Sequence, residues 1–322
     1  MNSIELCAGA GGQALGLERS GFEHQVLVEI DAHACATLRH NRPHWLVHEG
    51  DLSAFDARAY QGIDLVAGGV PCPPFSKAGK QLGADDERDL FPQAMRVVEE
   101  TRPQAVMLEN VRGLLDAVFT DYRQKIARQL QALGYWTDWH LFNAADFGVC
   151  QLRPRVVFVA LRRDLAEHFR WPAPSFQLPP TVGELLGDLM GAQGWQGLEA
   201  WKERANDIAP TLVGGSKKHG GPDLGPTRAK QAWASLGVDG RGLVDAPPAA
   251  DFVGMPRLTV RMCARIQGFP DEWAFVGKKT PAYRQVGNAF PPPVAHAVSR
   301  QIAQAIEAAA QARVSRTSLR AA

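Results

Sequence analysis

Disulfide chemistry has little to work with in this sequence. The five cysteines, Cys7, Cys35, Cys72, Cys150 and Cys263, are odd in number, scattered, and include no Cys-x-x-Cys pair. That pattern excludes a disulfide framework and a structural zinc site as organising devices, and makes a reducing cytoplasm the expected compartment. No apolar run approaches the length that spans a bilayer. The N-terminus lacks the basic, apolar, small-residue order of a signal peptide. Net charge is nearly absent as well: 35 Lys+Arg stand against 34 Asp+Glu, giving +1. Any polyanionic partner must therefore be met by a local patch. No internal repeat is visible. What remains is ordinary globular composition, 45% hydrophobic and 21% charged over 322 residues, enough for one large domain and a smaller one.

The first half reads as alternating strands and helices, the pattern of a doubly wound, mostly parallel α/β sheet. Ser3 to Cys7 is a short strand. It runs into Ala8-Gly9-Ala10-Gly11-Gly12 and then a helix carrying Leu15 and Leu17. Bare backbone N–H groups at such a helix start suit an anion or a nucleotide-like ligand. Val26 to Ile30 is a second strand, and its Glu29 stands twenty positions after Gly9. An acidic residue at that distance commonly accepts from a ribose hydroxyl. Asp31 is placed to cap the helix that follows. A third strand near Trp45–His48 leads to Asp51, which either accepts from an adenine amino group or merely sits in a turn.

The centre of the pattern is Gly68-Gly69-Val70-Pro71-Cys72-Pro73-Pro74-Phe75-Ser76, after the apolar strand Ile63–Ala67. Glycines allow a sharp turn and prolines stop the strand. A thiol, Cys72, is thus presented on a stiff turn at the carboxyl edge of the sheet, where open α/β sheets bind ligands. A buried structural cysteine is the plainer alternative. Against it, four other strand ends deliver polar or glycine-rich groups to the same edge. The charged segment Lys77 to Arg88 reads as a loop over the site. Strand Ala105–Leu108 ends in Glu109-Asn110-Val111, and a carboxylate there is costly unless paired or protonated. Gln151, Arg153 and Arg155 alternate into the last strand, Val156–Leu161, so an amide and two guanidiniums share one face.

From about Trp171 the texture changes to prolines, glycines, lysines and tryptophans. Residues 200–265 hold ten Lys and Arg against six Asp and Glu. This excess suits phosphate contact, or is only a solvated loop region. A final helix follows, with Val294, Val298, Ile302 and Ile306 on its buried face.

Six motifs, in order, carry a resemblance. They are Ala8-Gly9-x-Gly11-Gly12, Pro71-Cys72 with Phe75-Ser76, Glu109-Asn110-Val111 and Gln151-x-Arg153-x-Arg155. Arg257-x-Thr259-x-Arg261 with Gln267-Gly268-Phe269-Pro270 follows, then Gln285-x-Gly287-Asn288. The chain resembles the DNA cytosine-5 methyltransferases of small prokaryotic type over almost its whole length. The resemblance implies a Rossmann-like S-adenosylmethionine-dependent catalytic domain over residues 1–170 and an irregular target-recognition domain over 171–256. Residues 257–310 would return to complete the catalytic domain, and 311–322 would be a disordered tail.

It also implies S-adenosylmethionine as methyl donor, double-stranded DNA as partner, no metal, and a monomer acting beside a cognate restriction endonuclease. Cys72 would add to cytosine C6, because C5 alone is too weak a nucleophile. Glu109 would protonate N3, Arg155 would contact O2, and Arg153 would brace the site and phosphate. The target base must be flipped out of the duplex. Gly9, Gly11, Gly12, Glu29, Ile30, Asp51, Leu52, Pro71, Leu90 and Asn288 would form the donor pocket. Ser76, Lys77, Lys80, Lys217, Lys218, Arg228, Lys230 and Arg241 are the candidate DNA contacts. The chain departs from the family pattern at Cys7, usually Phe, at Glu5, usually Asp, and at Val70 and Pro73. The same chemistry on tRNA and a non-catalytic DNA-binding relative are the alternatives.

Overall fold

In a computed structural model of the protein, the described residues are 1–71, 89–175, 177–214 and 221–321, with side chains described as far as residue 315. The first half forms β1 (Asn2–Leu6), α1 (Gly12–Arg19), β2 (Glu23–Glu29), α2 (Ala32–Asn41), β3 (Val47–Glu49) and β4 (Leu65–Gly68). It continues with α3 (Phe91–Thr101), β5 (Ala105–Val111), α4 (Thr120–Ala132), β6 (Tyr135–Asn143), β7 (Pro154–Arg162) and α5 (Arg163–Ala166). Later residues add α6 (Val182–Met190), α7 (Leu198–Arg204), α8 (Thr227–Ser235), α9 (Val260–Ile266), α10 (Lys279–Asn288) and α11 (Pro292–Ala321).

The strands make one sheet in the order β3-β2-β1-β4-β5-β7-β6. Strands β1 to β5 pair in parallel, as their α crossovers require. Strand β7 lies antiparallel between β5 and β6. It pairs with β6 from Tyr135↔Arg162 to Asn143↔Pro154, a hairpin whose connection is short enough to fold back directly. The sheet is buried on both faces, which explains the continuous apolar runs in the sequence. Val106 and Leu108 of β5 face α3 and α4, against Phe91, Val98 and Leu130. Ala105 and Met107 face the other way, toward Leu17 of α1 and Val294, Val298 and Ile302 of α11.

Helix α11 therefore packs on the sheet although it is the last element. Gly16 makes this possible. A Cβ there would meet Ala295 Cβ at 2.5 Å and the Pro292 carbonyl at 2.8 Å, so any larger residue would push α1 and α11 apart. The helix runs on through residues 311–321, where composition led us to expect a disordered tail. The buried apolar contacts of the helix end near Ala309.

Residues 182–243 contain three helices that apolar periodicity did not announce. Helix α6 carries a capping box, with Thr181 Oγ1 accepting from Glu184 N–H and the Glu184 carboxylate accepting from Thr181 N–H. Its Thr-x-x-Glu spacing was a readable signal. The apolar core of this segment, built on Leu186, Trp201 and Trp233, is shared with Met262 and Ile266 of α9 and reaches Leu38 of α2. Among the described residues no helix is long and apolar enough to cross a membrane.

Candidate active site

The carboxyl ends of β1, β2, β4 and β5 converge on a cavity of about 330 Å³. Gly9 enters it in the left-handed region, φ 55°, and a Cβ there would meet nothing within 4 Å. The turn therefore shows bare backbone to the cavity. Glu29, at the end of β2, is 8% exposed and held by backbone donors. Gly9 N–H donates to its Oε2 at 2.7 Å, and the N–H groups of Ile30 and Asp31 donate to Oε1 at 2.8 and 2.7 Å. Oε1 thus has both lone pairs engaged, while Oε2 keeps one for a hydroxyl donor.

Five of the residues expected in the donor pocket, Gly9, Gly12, Glu29, Pro71 and Asn288, line this cavity. Gly11, Ile30, Asp51, Leu52 and Leu90 do not. Gly11 is a packing glycine: at φ 87°, its missing Cβ lies 2.8 Å from Leu38 and 2.9 Å from Trp273. Asp51 accepts from Ser53 N–H at 2.8 Å and caps a short 3-10 turn that begins at the buried Leu52. Ile30 is 67% exposed at the strand end beside Glu29. Leu90 precedes α3 and donates its N–H to the Pro71 carbonyl at 3.2 Å.

Sequence reasoning did not place Glu5, Gln13, Asp31, Arg284 or Gln285 in the wall. Arg284 stands four residues before Asn288 on α10 and so shares its face, which was the available signal. It pairs with Asp31 at 3.2 Å. Glu5 is fully buried, and burial drives its pKa well up; the hydrogen bond to the Ala14 backbone does not offset this, and the Glu29 charge adds to it. Cys7 sits at φ 52°, and burial, with Glu29 and Asp51 close by, pushes its thiol up to about 12. It is a neutral wall residue.

Beside the cavity, Glu109 and Arg155 form a diagonal cross-strand pair. Glu109 lies opposite Val157 and Arg155 opposite Val111 in the β5–β7 ladder, which brings Arg155 Nε to 2.7 Å from Glu109 Oε1. Burial raises the Glu109 pKa, opposed by Arg155 and Arg153. Asn110 Nδ2 donates to the Val70 carbonyl at 2.8 Å, fixing the chain just before Pro71. Cys72 itself lies outside the described residues, as do Ser76, Lys77, Lys80, the segment through Arg88, Lys217 and Lys218.

Arg153 differs from expectation. It is 0% exposed and reaches no surface from which to hold a phosphate. Its Nη1 donates to the Leu212 carbonyl at 2.8 Å, and its Nη2 to the carbonyls of Gly287 and Ala289 at 2.7 and 3.0 Å. It clamps the 171–256 segment to the end of α10. Gln151 works beside it, accepting from Leu212 N–H and donating to Gln267. Of the described DNA-contact candidates, Arg228 is exposed on α8. Lys230 pairs with Asp223 at 2.7 Å, and Arg241 pairs with Asp239 at 2.8 Å.

A seven-stranded α/β sheet with an antiparallel β7, glycine-turn cavity and strand-end acid defines a methyltransferase fold. Its solved counterparts include a prophage-encoded Escherichia coli protein described as a "putative DNA modification methyltransferase", with TM-score 0.67 and 24% identity over 95% of this chain and 99% of that one. Another is the Dnmt2 methyltransferase of S. pombe, with TM-score 0.63 and 17% identity over 95% of this chain and 98% of that one. In sequence the protein is 59% identical to the type II methyltransferase M.NgoMIV of Neisseria gonorrhoeae, over 95% of this chain and 98% of that one. It is 57% identical to the type II methyltransferase M.NaeI of Lentzea aerocolonigenes, over 94% of this chain and 75% of that one. Residues 1–304 match the C-5 cytosine-specific DNA methylases, and the chain belongs to that family.

Proposed function

We propose that this protein transfers a methyl group from S-adenosylmethionine to C5 of a flipped-out cytosine within one short duplex site, as the modification activity of a restriction-modification system. The observation that carries the reading is the Glu109–Arg155 pair, fixed at 2.7 Å beside the cavity and next to the chain that leads to Cys72.

The cavity suits the donor. Glu29 keeps a lone pair for a ribose hydroxyl, and the acidic wall of Glu29 and Asp31 complements a cationic ligand, with Arg284 as the partner for its carboxylate. When bound, S-adenosylmethionine supplies an electrophilic methyl on a sulfonium sulfur. Cys72 adds through its thiolate to cytosine C6, which makes C5 enamine-like and able to take the methyl. Addition places negative charge on the ring. Glu109, whose protonated form burial favours, gives its proton to N3 and takes it back when the adduct collapses, and Arg155 donates to O2. Cys72 then leaves by β-elimination after C5 loses its proton. Arg153 holds the recognition segment against α10 rather than touching the ring.

The test is transfer of labelled methyl groups to mixed-sequence duplex DNA and to tRNA, with bisulfite sequencing of the DNA. Protected cytosines inside one recurring site, and their loss in Cys72→Ala with donor binding intact, are the expected result. Label in tRNA alone, or in neither acceptor despite donor binding, would overturn the reading. Methylated DNA should also resist an endonuclease that cuts the same site.

A further inference from the structure

The recognition segment holds one arrangement that simple phosphate binding does not call for. Asp239 is buried at 9% side-chain exposure, yet both of its cationic partners reach the surface. Arg241, 74% exposed, lies side-on to it: Nε donates to Oδ1 at 2.8 Å and Nη2 to Oδ2 at 3.0 Å, and its own backbone N–H also reaches Oδ1. Arg257 Nε donates to Oδ2 at 2.9 Å. Asp239 is itself anchored, its N–H donating to the Pro256 carbonyl. A guanidinium has five N–H groups. With the Nε–Nη2 edge on the carboxylate, the Nη1–Nη2 edge of Arg241 is left outward, without an acceptor among the described residues.

The position of this edge follows from the packing. Gly214 abuts the end of α10, where a Cβ on it would meet Asn288 Oδ1 at 2.5 Å. Val213 packs on Gly225, and Leu224 N–H donates to the Gly240 carbonyl. Arg241 therefore stands on a strip that starts at the cavity wall.

We propose that Arg241 reads a guanine in the major groove of the target site, and that Asp239 is the positioning residue that aims it. This rests on the reading of the protein as a DNA methyltransferase. Guanine is the base that offers two acceptors, O6 and N7, to the free edge of an arginine. A phosphate contact gains nothing from a carboxylate beside it, because Asp239 cancels one of the two positive charges and repels the phosphate. A base contact gains direction, since the planar fork is held before DNA arrives. Lys230, a point charge already paired with Asp223, has no such edge.

The experiment compares wild type, Arg241→Ala, Arg241→Lys and Asp239→Asn on duplexes randomised across the site, with bisulfite profiles and the salt dependence of DNA binding. In Arg241→Ala the preference for guanine should disappear at one position only, with methylation of the wild-type site slowed about 5- to 150-fold. Arg241→Lys keeps charge and salt slope but not the discrimination, and it decides the matter if the alanine variant does not fold. Asp239→Asn should relax the same position. Uniform slowing on all duplexes, with the salt slope reduced by about one, would make Arg241 a phosphate contact and overturn the proposal. An unchanged profile would leave the pair a purely structural one and overturn it equally. Wild-type protein that labels no DNA would instead sink the parent reading.

Discussion

Two charged clusters, one at the sheet edge and one in the 171–256 segment, share a buried carboxylate and differ in where its partners go. Glu109 and Arg155 are 11% and 13% exposed, so both members are enclosed. Asp239 is equally buried, but Arg241 and Arg257 turn outward. The acids also respond in opposite directions. Burial outweighs Arg155 and raises the Glu109 pKa, whereas the two arginines on Asp239 hold its carboxyl well below the usual range. One cluster favours the protonated form of its acid. The other holds a permanent charge that orients donors toward a surface. At Glu109 burial outweighs the charges of Arg155 and Arg153, whereas at Asp239 direct hydrogen bonds from the Arg241 side chain and backbone N–H and from Arg257 outweigh desolvation.

The sharpest way to break this comparison is to remove the proton from the enclosed cluster. Glu109→Gln keeps shape but cannot protonate N3, and its turnover should fall by about 10²- to 10⁴-fold with donor binding retained. Because the wild-type pKa is raised, the active protonated form persists above the ordinary carboxylate range and is lost as pH rises through the folded value. The wild-type turnover profile should therefore show a falling alkaline limb that Glu109→Gln lacks. A limb that survives the substitution would assign that proton elsewhere.

Next in size is Arg153→Met. The change strands the Leu212, Gly287 and Ala289 carbonyls that Arg153 now satisfies. Urea unfolding should show a loss of about 3 kcal/mol or more. A loss below about 1 kcal/mol would mean that Arg153 does not clamp the segment.

Glu5→Gln tests the enclosed side by pH. A folded pKa raised above its unfolded value means that the folded state binds the extra proton, so stability falls as pH rises from about 4.5 toward the raised value. The variant should flatten that slope and match wild type in slope below pH of about 4.5, read from thermal melts across pH. Smallest of all is Arg39→Ala. Its pairing with Glu49 is exposed at 47% and 41%, and urea unfolding should move by less than about 1 kcal/mol.

The strands, the glycine turn, Glu29 and Glu-Asn-Val were legible because their signals are local. Apolar runs predict buried parallel strands, and the final helix showed its Val294–Ile306 face at regular spacing. Arg153 was legible as a strand-face neighbour of Arg155, but not as a clamp. Its acceptors lie 59, 134 and 136 residues away in sequence. Gly11 fits the glycine pattern, yet the reason it must be glycine is Trp273, far along the chain. The Asp239–Arg241 pair is only two residues apart, while the burial that makes it directional comes from Pro256 and Arg257.

By itself the sequence determined the alternation of strands and helices in the first half, the family to which the chain belongs, and the residue types brought to the carboxyl edge. These follow from periodicity, φ limits and motif spacing, which are properties of neighbouring residues. Only the tertiary structure decided which acid is enclosed with its partner and which arginine is turned to solvent. It also decided which glycines face the cavity and that the 171–256 segment is clamped to α10. Hydrogen bonding and desolvation act over a few ångströms of space, and that space is assembled by the sheet from segments separated by tens to hundreds of residues.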